Sequence, residues 1–247
     1  MNIFKNKDSR ISKDYFDQIY SPLDEAMTRT QLGEIFVEGQ YKSGLIKKDM
    51  VIIDLGANMG MASLYFRKHA KMIYAIEPSK APYEALVKNT EKYSNIKTFN
   101  LAIMHENGPV KLQAGEKSPI PDSIFGNNKI SEMVQAVTIE KFMKDNKIEH
   151  VDLLKIDCEG AEYFILPSFE FIRMSPRIDN IIGEAHRFGD ASHEFIPEIL
   201  NDSGFKTEFL PIDNYFKTLD YHDGPSDKIK NYKVQYQTIF RAWKEKK

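Results

Sequence analysis

One cysteine and one tryptophan stand among 247 residues. A lone Cys158 cannot form an internal disulfide, which fits a reducing compartment and excludes a disulfide-built secreted scaffold. There is no basic surplus: 34 lysines and arginines face 36 acids, for a formal net charge of −2. The lysines are interleaved with acids and read as a solvated surface, so no nucleic-acid partner is expected. No apolar run approaches the roughly 18 residues that a membrane-spanning helix needs. Residues 1–20 carry charges throughout and no apolar h-region, so no signal peptide is expected there. The expectation is a cytoplasmic protein without a membrane span. Internal repeats and low-complexity tracts are also missing.

What is present is an alternation of strands and helices. The length suits one α/β domain with some decoration. Residues 1–49 are mixed, with Pro22 and Gly33 as breakers and a short helix expected over Asp24–Gln31. They are assigned to an N-terminal helical or lid segment, in which Tyr15 and Phe16 would take part, and residues 50–247 to the main domain. From residue 50, apolar β-rich runs predict strands over Val51–Leu55, Met72–Ile76, Ile96–Leu101, Val151–Ile156 and Asn180–Gly183. Helices are predicted over Met61–Lys71, Lys80–Lys92, Ile139–Asn146 and His193–Ser203. Such strands alternating with helices imply a parallel sheet covered on both faces. Two late strands, Phe205–Leu210 and Gln235–Trp243, lack a long helix between them and predict an antiparallel edge. Ala114–Lys129 holds two prolines, two glycines and two asparagines and reads as a loop, either a binding loop or a surface excursion. Ser123 and Asn127 are its candidate substrate contacts.

The first strand runs into Asp54-Leu55-Gly56-Ala57-Asn58-Met59-Gly60, a glycine-bearing turn before a helix, where backbone amides can approach a nucleotide. The dinucleotide fingerprint G-x-G-x-x-G would need glycines at 58 and 61, which are Asn58 and Met61. A P-loop is excluded too, because no Gly-Lys-Ser/Thr follows. A second acid, Glu77, ends the next strand about 20 residues on, where a carboxylate can accept the hydroxyls of a ribose, and Pro78 stops the strand after it. Taken singly, Asp54 reads equally well as a turn cap and Glu77 as an exposed strand-end acid. An acid in the first turn disfavours a pyrophosphate and favours a cationic cofactor. S-adenosylmethionine, with a sulfonium, an amino-acid head and a ribose, has that chemistry.

At these residues the chain resembles the class I S-adenosylmethionine-dependent methyltransferases. Asp54, Gly56 and Gly60 match the family's acid-x-Gly-x-Gly-x-Gly turn, with Asn58 in place of the middle glycine. That departure resembles the FkbM subgroup, as does Leu154-Lys155-Ile156-Asp157-Cys158-Glu159-Gly160-Ala161-Glu162, with Cys158 where an aliphatic residue is usual. The likeness runs from about residue 45 to 210 and includes Asn100-Leu101-Ala102-Ile103. It implies a Rossmann-like, doubly wound, mostly parallel seven-stranded sheet with an antiparallel edge strand and helices on both faces. It also implies S-adenosyl-L-methionine as cofactor and methyl transfer to a hydroxyl of a sugar, glycan or natural product, so a small-molecule or glycan acceptor is the expected partner. Asp54, Gly56, Ala57, Asn58, Gly60, Glu77, Pro78, Asn100, Ala102 and Asp157 are the expected cofactor contacts.

Asp157, Glu159 and Glu162 follow the fourth strand at the carboxyl edge of the sheet, where such folds place ligands. Glu162 is expected to cap a helix, Asp157 to act in the site, and Glu159 is left open. Alternation points Glu184 and His186 to one face, where they form a polar pocket with Asp157, and these three are the candidate catalytic residues. His186 is the expected base for the acceptor's hydroxyl proton, with a structural role as the competing reading and His193 as a substitute. The trio has donor types that suit a divalent cation, but no fixed ligand spacing, so no metal is assigned. His69, His105, His150 and His222 are expected on the surface. Two alternatives stand beside an O-methyltransferase: a non-catalytic module that keeps the fold, and a methylase of nitrogen in a small amine or protein. Nucleic-acid methylases carrying Asn/Asp-Pro-Pro-Tyr/Phe after the fourth strand are disfavoured by Asp157-Cys158-Glu159-Gly160.

Overall fold

Alternate residues of the first strand point into two different cores, so the sheet is covered on both faces. The computed structural model describes residues 18–23, 25–37, 39–113, 123–124, 129–186, 195–209 and 237–245. Tyr15, Phe16, Asn127, His193, His222 and most of the 114–129 loop lie outside them.

The chain enters through α1 (Glu25–Leu32), at the expected helix, and one π-helical turn (Gly33–Val37). Then follow β1 (Met50–Leu55), α2 (Met61–Phe66), β2 (Ala70–Ile76), α3 (Lys80–Thr90) and β3 (Ile96–Phe99). Next come β4 (Ala102–Ile103), β5 (Gly108–Gln113), β6 (Ser131–Val137), α4 (Ile139–Asp145) and β7 (Val151–Ile156). The remainder is α5 (Glu162–Ile165), α6 (Phe169–Met174), a 3-10 turn (Ser175–Arg177), β8 (Ile178–His186), α7 (Phe195–Asp202), β9 (Lys206–Phe209) and β10 (Gln237–Trp243).

Seven strands form one sheet in the order β3-β2-β1-β7-β8-β10-β9. Pairing is parallel from β3 through β8, and β10 runs antiparallel to both β8 and β9. This is the expected Rossmann-like, mostly parallel arrangement, with the reversal confined to β10, which lies between β8 and the edge strand β9. β1 shows why both faces are covered: Ile52 packs with Leu153, Ile182, Leu32, Phe66 and Leu86, whereas Ile53 packs with Leu154, Ile181, Phe142, Phe171 and Leu200. Successive side chains of a strand point to opposite faces, so one apolar run serves both cores. Thr138 and Ser168 start α4 and α6 by accepting the amides of Lys141 and Phe171. No helix among the described residues is long and apolar enough to cross a membrane.

Three local expectations are corrected. The helix predicted over Met61–Lys71 ends at Phe66, and β2 begins at Ala70. Asn95 ends it by binding the carbonyls of Arg67 and Ala70, and the Arg67 guanidinium turns back to the Leu64 carbonyl. β3 stops at Phe99, because Asn100 turns the chain into β4 of a second sheet. That three-stranded sheet, ordered β4-β6-β5, was not anticipated; Leu112, Val134 and Ala136 pack its inner side onto the core.

Candidate active site

The turn after β1 is built by exclusion. Gly56 has φ +69, and a Cβ placed on it would lie 1.8 Å from the Asp157 carbonyl oxygen, so the backbones after β1 and β7 approach as only glycine permits. Asn58 follows at φ 50 and accepts the Met59 amide on its own side-chain oxygen, a local bond that lets asparagine adopt this conformation. Its amide donates to Glu77 Oε2 at 2.8 Å.

Glu77 therefore lies at the centre of the turn. Its Oε1 accepts the Ser79 amide at 2.8 Å, and the side chain is almost fully buried yet borders the cavity. Burial pushes its pKa up to about 7, against the pull of the two amides and Lys155. Asn100 supports this corner from outside: its side chain is exposed and donates to the carbonyls of Glu77 and Pro78. It does not border the cavity.

Asp54 likewise lies off the cavity wall. Its side chain is completely buried, accepts the Ser63 hydroxyl at 2.6 Å and faces Lys155 Nζ at 3.2 Å. It stands behind the turn, not on the cavity wall. Lys155 donates to the carbonyls of Leu55 and Gly56 at 3.0 and 2.7 Å, fixing the turn from below. Burial pulls its pKa down, but Asp54 and Asp157 outweigh that and raise it, so Lys155 remains a cation.

At the carboxyl ends of β7 and β8 the cavity turns acidic, bordered by Asp157, Glu159 and Glu184. Glu162 is buried and accepts the amides of Cys158 and Gly160, holding the loop after β7 as a cap would. His186 does not border the cavity. Its Nε2 lies 3.5 Å from Glu159, 3.6 Å from Glu184 and 3.8 Å from Asp157, and its Nδ1 lies 3.5 Å from Glu162. Burial alone would favour the neutral ring; the carboxylates around it reverse this and raise its pKa well above the ordinary value. Glu184, by contrast, borders the cavity, and burial raises its pKa well above the usual carboxylate range while the His186 cation pulls it down.

Two residues that the sequence did not single out complete this end. Gln40 donates its amide to Glu184 Oε1, and the Tyr41 hydroxyl donates to Asp157 Oδ2 at 3.1 Å. Ser123, expected to meet substrate, donates instead to the Glu159 carbonyl and pairs with Gln113, off the cavity wall.

The cavity is about 470 Å³. Of the expected cofactor contacts, Gly56, Ala57, Asn58, Glu77, Pro78, Ala102 and Asp157 border it; Asp54, Gly60 and Asn100 do not. Gly60 sits beneath the turn against Leu86 and Thr90. Asp157, Glu162 and His186 bring one potential metal-ligand atom each within 4.8 Å of one another, and both oxygens of Glu162 accept backbone amides, those of Cys158 and Gly160. Among the described residues one further such group, His150, Asp152 and Asp179, lies away from the cavity.

A family model described as the methyltransferase FkbM domain matches residues 54–207. Methyltransferase 1 of Beauveria bassiana (strain ARSEF 2860) is 25% identical over 176 residues, 61% of this chain and 70% of that protein. Methyltransferase sdnD of Sordaria araneosa is 26% identical over 172 residues, 54% of this chain and 65% of that one. Among solved structures, fibrillarin of Aeropyrum pernix, in complex with natively bound S-adenosyl-L-methionine, has a TM-score of 0.48 at 12% identity, covering 86% and 74% of the two chains. The family match begins at the acid that ends β1 and takes in both the glycine turn and the acidic loop after β7. The chain belongs to the FkbM family of methyltransferases, and S-adenosylmethionine is its methyl donor.

Proposed function

We propose that this chain methylates a hydroxyl oxygen of a sugar, glycan or natural-product acceptor. The observation that carries this reading is Glu184, a buried carboxylate of raised proton affinity bordering the same cavity as Glu77. An alcohol must lose its proton as its oxygen attacks, and an acid tuned upward by burial matches that task better than an ordinary carboxylate.

The residues present fit S-adenosylmethionine. The cavity volume is within the roughly 300–1,000 Å³ of small-molecule sites. Glu77, already oriented by two amides, retains lone pairs for ribose hydroxyls, and the turn 56–58 supplies the backbone wall. Bound there, the cofactor supplies a methyl group made electrophilic by its sulfonium. Glu184 would take the acceptor's hydroxyl proton on a carboxylate oxygen, and the methyl would pass from sulfur to that hydroxyl oxygen with S-adenosylhomocysteine as the leaving group. The His186 ring 3.6 Å away pulls the proton affinity of Glu184 down, against the burial and the Asp157 carboxylate that raise it. Asp157 orients the acceptor's hydroxyl. The expected trio is thus kept with its roles exchanged, and residues 1–49 are proposed as a segment that walls the site through positions 31–41.

The test has two steps. Calorimetry should give binding of S-adenosylhomocysteine to the wild type and its loss in Glu77→Ala. Methyl-labelled cofactor should then place label on a hydroxyl oxygen in a panel of monosaccharides, oligosaccharides and hydroxylated aromatics. Label recovered on an amine or in protein overturns the oxygen reading, and no binding of either cofactor form overturns the whole.

A further inference from the structure

Gln40 and Tyr41 are adjacent in sequence and far from everything they hold. Gln40 reaches Glu184 across 144 positions, and Tyr41 reaches Asp157 across 116. One short loop thus engages both acids at one end of the cavity. Neighbouring parallel strands lie about 4.8 Å apart, so Glu77 after β2 and Glu184 on β8 are separated by three spacings, on the order of 14 Å. Glu184 therefore sits well away from the ribose end marked by Glu77, with Asp157, after β7, one spacing nearer to it. Given the cofactor placement proposed above, on which this inference rests, they sit where the methyl group is handed over.

The loop has its own anchors. The Gln40 amide donates to the Glu34 carbonyl at 3.0 Å, the Lys42 amide to Gly39 at 2.7 Å, and Arg241 of β10 donates to the Lys42 carbonyl. Tyr41 is buried, with its ring 5.8 Å from that of Phe66 and 5.9 Å from Lys155 Nζ. These ties fix where the amide of one residue and the hydroxyl of the next point. Both residues lie outside the stretch 54–207 that matches the family model.

We propose that Gln40 and Tyr41 are positioning residues that hold Glu184 and Asp157 toward the transfer end of the cavity. The oxygen of Asp157 that Tyr41 binds lies 3.6 Å from Lys155 Nζ. Without the hydroxyl, Asp157 closes on that cation and withdraws from the cavity. Without the Gln40 amide, Glu184 turns toward His186, already 3.6 Å from its other oxygen. A charge-assisted hydrogen bond fixes direction as well as affinity, so each loss misdirects an acid without removing it.

The test needs no acceptor. Sinefungin carries an amine on carbon where S-adenosylmethionine carries its methyl on sulfur, so its ammonium probes the transfer point directly; S-adenosylhomocysteine has nothing there. Calorimetry on the full chain should show sinefungin binding the wild type more tightly than S-adenosylhomocysteine. Tyr41→Phe and Gln40→Met, which preserve shape, should each lower that preference about five- to tenfold, the scale of one ordinary hydrogen bond. Affinity for S-adenosylhomocysteine should stay within about twofold, which a general loosening of the fold would not allow. An unchanged preference in both variants, or equal weakening of the two ligands, overturns the proposal. So does a wild type without preference for sinefungin. If one variant fails to fold, as judged by circular dichroism, the other decides. Binding of neither ligand by the wild type instead sinks the cofactor placement itself.

Discussion

Asp54 and Lys155 are register partners on the adjacent parallel strands β1 and β7, with their charged atoms 3.2 Å apart and both side chains shut away from solvent. Such a pair adds little net stability, because desolvation offsets the attraction, but breaking one half leaves a buried charge. Here the ammonium also satisfies the Leu55 and Gly56 carbonyls. The pair is therefore a device for holding the cofactor turn against β7.

Lys155→Met should destabilise the fold by about 3–5 kcal/mol, because it strands Asp54 in the core and releases two carbonyls. The double variant Asp54→Asn/Lys155→Met should lose less than the sum of the two single changes. Urea unfolding of all four proteins measures the coupling, and strict additivity would show that the two side chains do not act as a pair.

The two turn glycines should differ sharply. At Gly56 a methyl group meets a backbone carbonyl at 1.8 Å, and no side-chain rotation relieves it. At Gly60 (φ +92) it meets Leu86 Cδ1 at 2.9 Å, the end of a flexible side chain. Gly56→Ala should abolish S-adenosylhomocysteine binding, whereas Gly60→Ala should retain it at a loss of about 1–3 kcal/mol in stability. Equal affinities of the two variants in calorimetry would remove the steric basis given for Gly56.

Much of this was legible in the chain. β1, β2 and β7 are apolar runs that end in acids, and strand ends set the carboxyl edge whatever the loops do, so Glu77 and Asp157 fell on the cavity wall. Asp54 lies off that wall, beside Lys155. Sequence spacing cannot tell whether a strand-end acid points at the ligand or at a buried lysine one strand away. The surroundings of His186 are hidden for a related reason: the four acids around it come from positions 157, 159, 162 and 184, and only the β7–β8 pairing gathers them. Gln40 and Tyr41 carry no motif at all. Their partners lie more than a hundred residues away, and the one available signal was a polar pair just upstream of β1.

The ribose-binding role proposed for Glu77 makes cofactor binding depend on pH. Its folded pKa of about 7 lies above its ordinary 4.5, so the stability owed to its protonated form is present below about 4.5 and lost as pH rises through 7. That loss is at most about 3 kcal/mol. Ribose recognition needs the ionised form, so S-adenosylhomocysteine should bind about tenfold more weakly at pH 6 than at pH 8. Glu77→Gln should flatten the fall in thermal midpoint between pH 5 and 8 in the ligand-free protein. A variant with the wild-type slope would place the titration elsewhere.

His186 and Glu184 give opposite signatures in a pH–rate profile. Glu184 works only when ionised, so the rate should rise with pH through its titration. The imidazolium 3.6 Å away lowers that titration point against the effect of burial. His186→Asn removes the cation, raises the proton affinity of Glu184 and should move the acid limb toward alkaline pH by about one unit, with the rate at high pH largely kept. Glu184→Gln should instead erase the limb and lower the rate by about 10²–10⁴-fold. Single-turnover rates on any hydroxylated acceptor that takes label supply the measurement. If the roles were reversed, with His186 as the base, its substitution would erase the limb and that of Glu184 would shift it toward acid, because removing a nearby carboxylate lowers the proton affinity of an imidazole.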